Sequence, residues 1–227
     1  MKRARVAESQ RWVTMPKEIH RMSLFAVSGT VRRFGRGLRL LTVAACGLAL
    51  AAALARAGSE QKMPAPRFAT FLARMLTYDT NLKKRAGEKL AIAVLYDGKS
   101  PTSVGKGAEL AAALKNLELV RILDLSVETL GLAVTSASEL EKAVHSHGID
   151  AFVVGDGLER QNALIRKVAE REKIITVGIT SDQVRAGLSI AVYLENGKSK
   201  ILVNLPASRS EGVAFSSDLL GLAEVIQ

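Results

Sequence analysis

Cysteine, tryptophan and histidine are scarce in this 227-residue sequence, which contains one Cys, one Trp and three His. A single cysteine, Cys46, excludes an intramolecular disulfide and any zinc site built from several thiolates. His145 and His147 are two positions apart on a predicted helix, where side chains point in different directions and cannot chelate one ion. The composition therefore predicts no metal centre, and this histidine pair is interpreted as the solvated end of a helix.

The formal net charge of +10 is concentrated near the N-terminus. Residues 1–57 hold eleven of the 32 Lys and Arg but two of the 22 Asp and Glu, which leaves 21 basic and 20 acidic residues in the remainder. A nucleic-acid binding domain needs its positive charge on the folded surface, where it neutralises phosphates. We therefore expect no nucleic-acid partner for the near-neutral remainder of the chain.

Residues 40–55 form an apolar run that follows a cluster of arginines. A basic segment, an apolar segment and small residues spaced A-x-A are the three parts of a secretory signal peptide. The residues that follow predict cleavage between Ala57 and Gly58 and export to the periplasm. As a helix the run spans roughly 24 Å, less than the roughly 30 Å hydrocarbon core of a bilayer. An uncleaved signal anchor and a lipoprotein modified at Cys46 stay open as alternatives.

The chain divides into three parts on these grounds. Residues 1–57 are an N-terminal extension with the signal peptide, and Met15 and Met22 are alternative translation starts to Met1. Residues 58–66 contain Gly, Ser, Gln, Lys and two prolines, a composition that predicts a short tether. Residues 67–227 form the folded domain, which has the ordinary size of a single domain.

Strand and helix patterns alternate through the folded domain. Continuous apolar runs are typical of strands that are covered on both faces of a sheet. The predicted strands are residues 90–96, 119–125, 131–135, 150–155, 174–178, 188–194 and 199–205. The predicted helices are residues 67–78, 103–117, 138–147, 158–171 and 215–226. The fold class is therefore α/β, a single compact domain with a mostly parallel sheet, helices on both faces, a C-terminal antiparallel hairpin at Asn196-Gly197 and a closing helix.

Motifs for catalysis and cofactor binding are incomplete. Gly98-Lys99-Ser100 follows a strand as a P-loop lysine would, but Ala93 stands where that motif requires glycine. The sequence also lacks the G-x-S-x-G elbow of serine hydrolases. Gly155-Asp156-Gly157 follows a predicted strand, where it forms either a tight turn or a small-molecule site. We therefore expect no enzyme activity, no catalytic residues and no cofactor.

Four segments near the C-terminus follow one another in the order and spacing of a known family. They read IITVG, GLSIAV, KILVN and AFSSDLL, at residues 174–178, 187–192, 200–204 and 214–220. The pattern resembles the YfiR-like family of small bacterial periplasmic proteins, and the looser likeness of the earlier elements extends it over about residues 65–227. The resemblance implies a compact α/β domain with a regulatory role and no catalysis.

The same resemblance implies partners. The best-understood member restrains a membrane-bound diguanylate cyclase by binding its periplasmic region, and an outer-membrane lipoprotein releases it, which raises cyclic di-GMP and promotes biofilm. Other members occur near histidine kinases, so the implied partner is the extracytoplasmic domain of a diguanylate cyclase or a sensor kinase. The mature chain lacks the cysteines that form the disulfides of that member, so the resemblance does not extend to redox tuning.

Candidate contact residues for such a partner follow from composition, because interfaces are enriched in exposed aromatic residues and arginines. They are Phe68, Phe71, Arg74 and Tyr78 on the first helix, and Asn204 and Arg209 after the last predicted strand. Core packing is the alternative for the first group, and capping of the last helix is the alternative for the second. A homodimer is a further option for assembly, and a periplasmic solute-binding module is the alternative function.

Overall fold

The computed structural model describes residues 60–119 and 121–227. The predicted signal peptide, the Ala57-Gly58 cleavage site and the alternative starts therefore lie outside the described residues. No helix within the described part combines the length and the hydrophobicity that a membrane span requires.

A mixed sheet of nine strands forms the centre of the described domain. The strands are β1 (Glu60–Gln61), β2 (Lys89–Tyr96), β3 (Arg121–Ile122), β4 (Leu125–Ala133), β5 (Ile149–Val154), β6 (Ile175–Gly178), β7 (Ile190–Glu195), β8 (Lys198–Asn204) and β9 (Glu224–Ile226). Their order is β3-β4-β2-β5-β6-β7-β8-β9, and β1 pairs with β7. In this order the five adjacent strands β4-β2-β5-β6-β7 are parallel, so the predicted α/β class is confirmed.

Eight helices of the described residues connect these strands. They are α1 (Ala65–Leu76), α2 (Leu82–Ala86), α3 (Pro101–Lys115), α4 (Ala137–His147), α5 (Asn162–Glu172), α6 (Ser181–Arg185), α7 (Leu205–Ser210) and α8 (Ser217–Leu222). Short 3₁₀ turns at Asn116–Leu119 and Glu159–Gln161 complete the connections.

The helices lie on both faces of the sheet and form two apolar cores, as predicted. Alternate residues of β2 point to opposite faces, so Ile92 packs with α1, α3 and α8 while Leu95 packs with α4, α5 and α6. The largest fully buried side chain on the first face is Phe68 of α1, and Phe152 of β5 is its counterpart on the second. Continuous apolar strands therefore arise because both faces are covered.

The predicted hairpin joins β7 to β8, which pair antiparallel with Glu195 opposite Lys198. Asn196 and Gly197 occupy the turn with φ values of 52° and 74°. A two-residue turn of this kind needs positive φ at both positions, and Asn and Gly adopt it most readily.

Two predicted elements are wrong in the middle and at the end of the chain. The strand predicted over residues 119–125 is a short β3 that turns back at Leu123 and Asp124, and the adjacent strand is the longer β4. The helix predicted over residues 215–226 ends at Leu222, because Val225 and Ile226 pair with β8 as strand β9.

The segment predicted as a tether differs from that expectation from Glu60 onward. Glu60 and Gln61 pair antiparallel with the end of β7, and Met63 is 7% exposed in the first core. Helix α1 then begins at Ala65, where Pro64 and Pro66 flank its first residue. We call residues 60–63 the strap, since they lie across the carboxyl ends of β6 and β7.

Candidate functional site

The four predicted contact residues of α1 divide between the core and one accessible groove. Phe68 is 1% exposed and belongs to the core, which removes it from the predicted contact surface. Phe71, Arg74 and Tyr78 line one shallow groove of about 160 Å³ on the outside of the domain. The aromatic residues of the groove are half-buried and the arginine is exposed. Three of the four α1 residues therefore share one accessible surface.

The other walls of this groove come from distant parts of the sequence. Ile201 of β8 and Leu219 and Leu222 of α8 face Met75 of α1 across it. Leu222 is 71% exposed, although most large apolar residues of the described chain are buried. The sequence pattern did not predict these contacts. The feature of the structure that indicates them is an exposed leucine on a short helix next to a strand edge. We call these seven residues the α1–α8 groove.

Positive charge borders the apolar surface of the groove. The Arg67 guanidinium lies 5.8 Å from the centroid of the Phe71 ring and donates to the Ser199 hydroxyl at 2.9 Å. Arg74 is exposed at the rim, and among the described residues it forms no ion pair. An apolar surface with a cationic rim fits a partner that offers an apolar side chain beside a carboxylate.

Asn204 and Arg209, the other predicted contact residues, do not line this groove. The Asn204 side chain accepts from the backbone N–H of Ala207 at 3.1 Å and donates to the Val184 carbonyl at 3.3 Å. It therefore caps α7, a short helix that the sequence did not predict, and not the last helix, which was the alternative left open. Arg209 is exposed on the same short helix.

A buried carboxylate holds the turn before α2 against the turn before α8. Asp79 is fully buried and accepts from the backbone N–H groups of Asn81 at 3.0 Å and Ala214 at 3.1 Å. The Arg85 guanidinium donates to its other oxygen at 2.5 Å. The carbonyl of Tyr78 accepts from the Ser216 N–H at 2.9 Å, so the α1 and α8 sides of the groove are connected by backbone and side-chain hydrogen bonds.

The carboxyl ends of the parallel strands form a second candidate site. The strand order places β2 beside β5, where the connections leave in opposite directions, and ligands of open α/β sheets bind at such a position. Gly155 follows β5, and a Cβ there would lie 2.8 Å from the Leu95 carbonyl oxygen. Gly157 has a φ of 81°. Both glycines thus serve a tight turn, one of the two interpretations that the motif left open.

Asp156, between those glycines, is the charged residue of this edge. Its carboxylate is bound by Lys62 of the strap and lies 3.2 Å from the Lys106 ammonium of α3. Burial by itself would raise the pKa of the Asp156 carboxyl, but the two ammonium groups outweigh it and hold the pKa below its ordinary value. At neutral pH the site therefore contains one carboxylate that two cations already neutralise.

The strap covers this edge through a second charged residue. The Glu60 carboxylate accepts from the Ser181 N–H at 2.8 Å and from its hydroxyl group. A cavity of about 190 Å³ remains between the strap and α3, lined by Phe68, Leu110 and the charged groups of Lys106 and Asp156. The strap thus lies beside the β2–β5 position at which ligands of open α/β sheets bind, and its Lys62 reaches the charged residue of that position.

The histidine pair lies apart from both sites. His145 Nε2 is 3.6 Å from a Glu172 oxygen, and both imidazole rings are exposed at the end of α4. Within residues 60–119 and 121–227, no cluster of three or more His, Cys, Asp or Glu is placed to hold a metal ion.

Comparison with known proteins relates this architecture to a family and to a fold. The sequence profile of the YfiR/HmsC-like family matches residues 69–224, which include both candidate sites apart from the strap and the first turn of α1. No curated protein sequence matches the chain significantly.

Two solved structures share the fold at low identity. The ABC domain of Streptococcus pneumonia in complex with L-Trp is 17% identical, with a TM-score of 0.50 over 72% of this chain and 60% of that chain. A conserved domain protein from Vibrio cholerae O1 biovar El Tor is 11% identical, with a TM-score of 0.50 and the same coverage of 72% and 60%. The chain spans 60% of the length of each, and the likeness extends to the fold alone.

Proposed function

Because the chain belongs to the YfiR/HmsC-like family, we propose that it is an exported, non-catalytic regulator that binds the extracytoplasmic domain of a membrane signalling protein. A diguanylate cyclase or a sensor kinase is the proposed partner, with cyclic di-GMP and biofilm formation as the output in the first case. An outer-membrane lipoprotein is the proposed second partner. The apolar run at residues 40–55, ahead of Ala57 and Gly58, supports export to the periplasm.

The exposure of Leu222 is the observation that carries the contact proposal. Leu222 is 71% exposed and lines the same groove as the half-buried rings of Phe71 and Tyr78. Covering this side chain with a partner removes apolar surface from water, which favours binding. Removing a leucine side chain from water contributes about 1.5–3 kcal/mol. Interfaces concentrate their binding energy in a few central, well-packed residues, and tyrosine and arginine, both present in this groove, are common among them. Leu222 is the proposed anchor of the α1–α8 groove.

The rim of the groove suggests the chemistry of the partner. Arg74 and Arg67 present positive charge beside the apolar wall, so a carboxylate next to an apolar side chain complements them. We therefore propose that the extracytoplasmic domain inserts an apolar side chain against Leu222 and places an acidic residue beside Arg74.

A matched pair of leucine variants tests this proposal. Leu222→Asp changes the groove, whereas Leu119→Asp changes an 86% exposed leucine that does not line it. We expect the wild-type protein and the Leu119 variant to capture the same membrane signalling protein from envelope extracts and to bind its purified extracytoplasmic domain. The Leu222 variant should lose this binding at least tenfold, which corresponds to about 1.4 kcal/mol. Equal binding by both variants, with equal melting temperatures, would contradict the proposal.

Solute binding at the carboxyl edge of the sheet is the second candidate function. Its support is the shared fold with a domain whose structure contains L-Trp, and the position of the edge at the strand-order reversal. The strap weakens it, because Glu60 and Lys62 already bind the polar groups of that edge. A thermal-shift screen with amino acids distinguishes the two, since a ligand at 100 times its Kd stabilises a fold by about 2.7 kcal/mol.

A further inference from the structure

A second buried carboxylate, that of Glu211, lies where β6 and β7 begin. Glu211 is 1% exposed, and its carboxylate accepts from the Thr176 N–H at 2.8 Å and from the Thr176 hydroxyl at 2.7 Å. The Ser189 hydroxyl also donates to it. Thr176 and Ser189 are fully buried, so the site is a closed cluster of polar groups inside the domain.

This carboxylate has no cation beside it. Among the described residues no Lys, Arg or His nitrogen lies within 4.0 Å of Glu211. Helix α5 and its C-terminal end present Glu170, whose negative charge opposes ionisation, and Lys173, whose ammonium donates to the Ser210 carbonyl at 2.9 Å. Arg85 of α2 is bound to the buried aspartate described above. The arginine of α7 is exposed, and β6 and β7 contribute hydroxyl and backbone groups only.

Burial dominates the chemistry of this group. It raises the pKa of the Glu211 carboxyl to about 7, although the three donors of Thr176 and Ser189 act in the opposite direction. The protonated acid is therefore the form that the closed structure favours over the range in which an exposed glutamate is ionised.

Glu211 is also the first residue of the segment that leads to the groove. Residues 211–216 connect α7 to α8. They are also attached to the turn after α1, where Ala214 bonds to Asp79 and Thr80, the Gly212 carbonyl accepts from the Asn81 side chain, and the Ser216 N–H donates to the Tyr78 carbonyl. Helix α8 follows directly and supplies Leu219 and Leu222, which form one wall of the groove. The hydrogen bonds of Glu211 are therefore one of several attachments of the segment that precedes this wall, and they are the ones that depend on a titratable buried group.

We propose that protonation of Glu211 holds residues 211–216 and the α8 wall of the α1–α8 groove in place, so that the protein binds its partner more tightly at acidic pH. The pH dependence of partner affinity rests on the proposed function, whereas the pH dependence of the opening of residues 211–216 does not. The reason is linkage: opening the segment exposes Glu211 to water, where its ordinary pKa makes it an anion, and ionisation then favours the open form. Opening should increase by up to about tenfold for each pH unit between about pH 5 and pH 7 and should level off above pH 7.

Hydrogen exchange of the intact protein tests the first part. Exchange rates of residues 211–222 are measured from pH 5 to pH 8.5, corrected for the intrinsic pH dependence, and compared with those of β2, which report global unfolding. The wild-type segment should open before β2 and roughly 40-fold more often at pH 7 than at pH 5. Glu211→Gln should remove this dependence, whereas Asp218→Asn, an exposed position on α8, should preserve it.

Three outcomes would overturn this inference. One is exchange of residues 211–222 only together with β2, and another is the same pH dependence in Glu211→Gln as in the wild-type protein. The third is a Glu211 pKa at its ordinary value in carbon-13 NMR of the wild-type protein, which does not depend on any variant. Binding of the purified partner domain at pH 5.5 and pH 7.5 tests the affinity. If Leu222→Asp abolishes binding while exchange is independent of pH, the proposed function stands and the switch is wrong.

Discussion

Asp79→Asn should be among the most destabilising isosteric changes in the described domain. Asp79 is fully buried, and its partner Arg85 has a side chain that is 13% exposed. An asparagine retains one oxygen for the N–H groups of Asn81 and Ala214 but turns an amide donor towards the guanidinium. Removing one partner of a buried ion pair costs about 3–5 kcal/mol, because the remaining charge is left without compensation. This is a large share of the roughly 5–15 kcal/mol that stabilises an ordinary domain.

Urea unfolding of the domain measures this cost, with Asp124→Asn as the control. Asp124 pairs with Lys83 at 3.5 Å on the surface, where both side chains are largely exposed, so its loss should cost below about 1 kcal/mol. The double variant Asp79→Asn with Arg85→Met should lose less than the sum of the two single changes, since neither charge is then left alone. A cost for Asp79→Asn no larger than that of the control, at an unchanged m-value, would refute the reasoning.

Two further predictions concern pH and helix packing. Folded Glu211 retains its proton up to a pKa of about 7, so the folded state binds more protons than the unfolded state from about pH 4.5 to pH 7. The free energy of unfolding should therefore fall by roughly 3 kcal/mol across that range and then level off. Chemical denaturation at several pH values checks this, and a flat profile would contradict it. In α3, Gly107→Ala should destabilise by about 1–3 kcal/mol, because the new Cβ would lie 2.8 Å from that of Tyr96. Gly105→Ala, with open space around it, should instead stabilise by up to about 1 kcal/mol, and melting temperatures that shift in the same direction would argue against this packing.

Local sequence signals predicted those parts of the fold that local physics determines. The strands β2 and β5 are buried on both faces, so their apolar runs are continuous and easily recognised. The turn at Asn196-Gly197 needs positive φ values that few other residue pairs adopt. Both features can be identified without knowing what lies next to them in space.

The wrong elements depended on neighbours that are distant in the sequence. Strand β4 alternates between buried and exposed residues because it lies near the sheet edge, so its pattern is weaker than that of β2. Residues 224–226 continue the helical spacing of α8, yet β8 offers them an open edge, and pairing with it ends the helix. Tertiary pairing thus overrides local propensity in both places.

The α1–α8 groove also combines a feature that the local sequence predicts with contacts that depend on distant residues. Helical spacing places Phe68 and Phe71 on one side of α1, but only the position of the sheet decides that the first is in the core and the second at the groove. Leu219 and Leu222 reach the groove because the turn before α8 is bonded to the turn after α1. Pairings across more than 130 residues cannot be read from composition or periodicity.

The strap has a consequence for the order of maturation. Glu60 is hydrogen-bonded within the sheet, and the predicted scissile bond between Ala57 and Gly58 is two residues ahead of it in the sequence. A signal peptidase needs an extended, accessible chain, so if the bond is cut there, the cut has to precede the docking of β1 on β7. In that case the last step in forming this domain would be the closure of its carboxyl edge by residues 60–63. A reporter or purification tag fused directly before Glu60 would disturb that closure, whereas Ile226 of β9 lies beside Asn204, towards the amino end of β7 and not the end that pairs with β1.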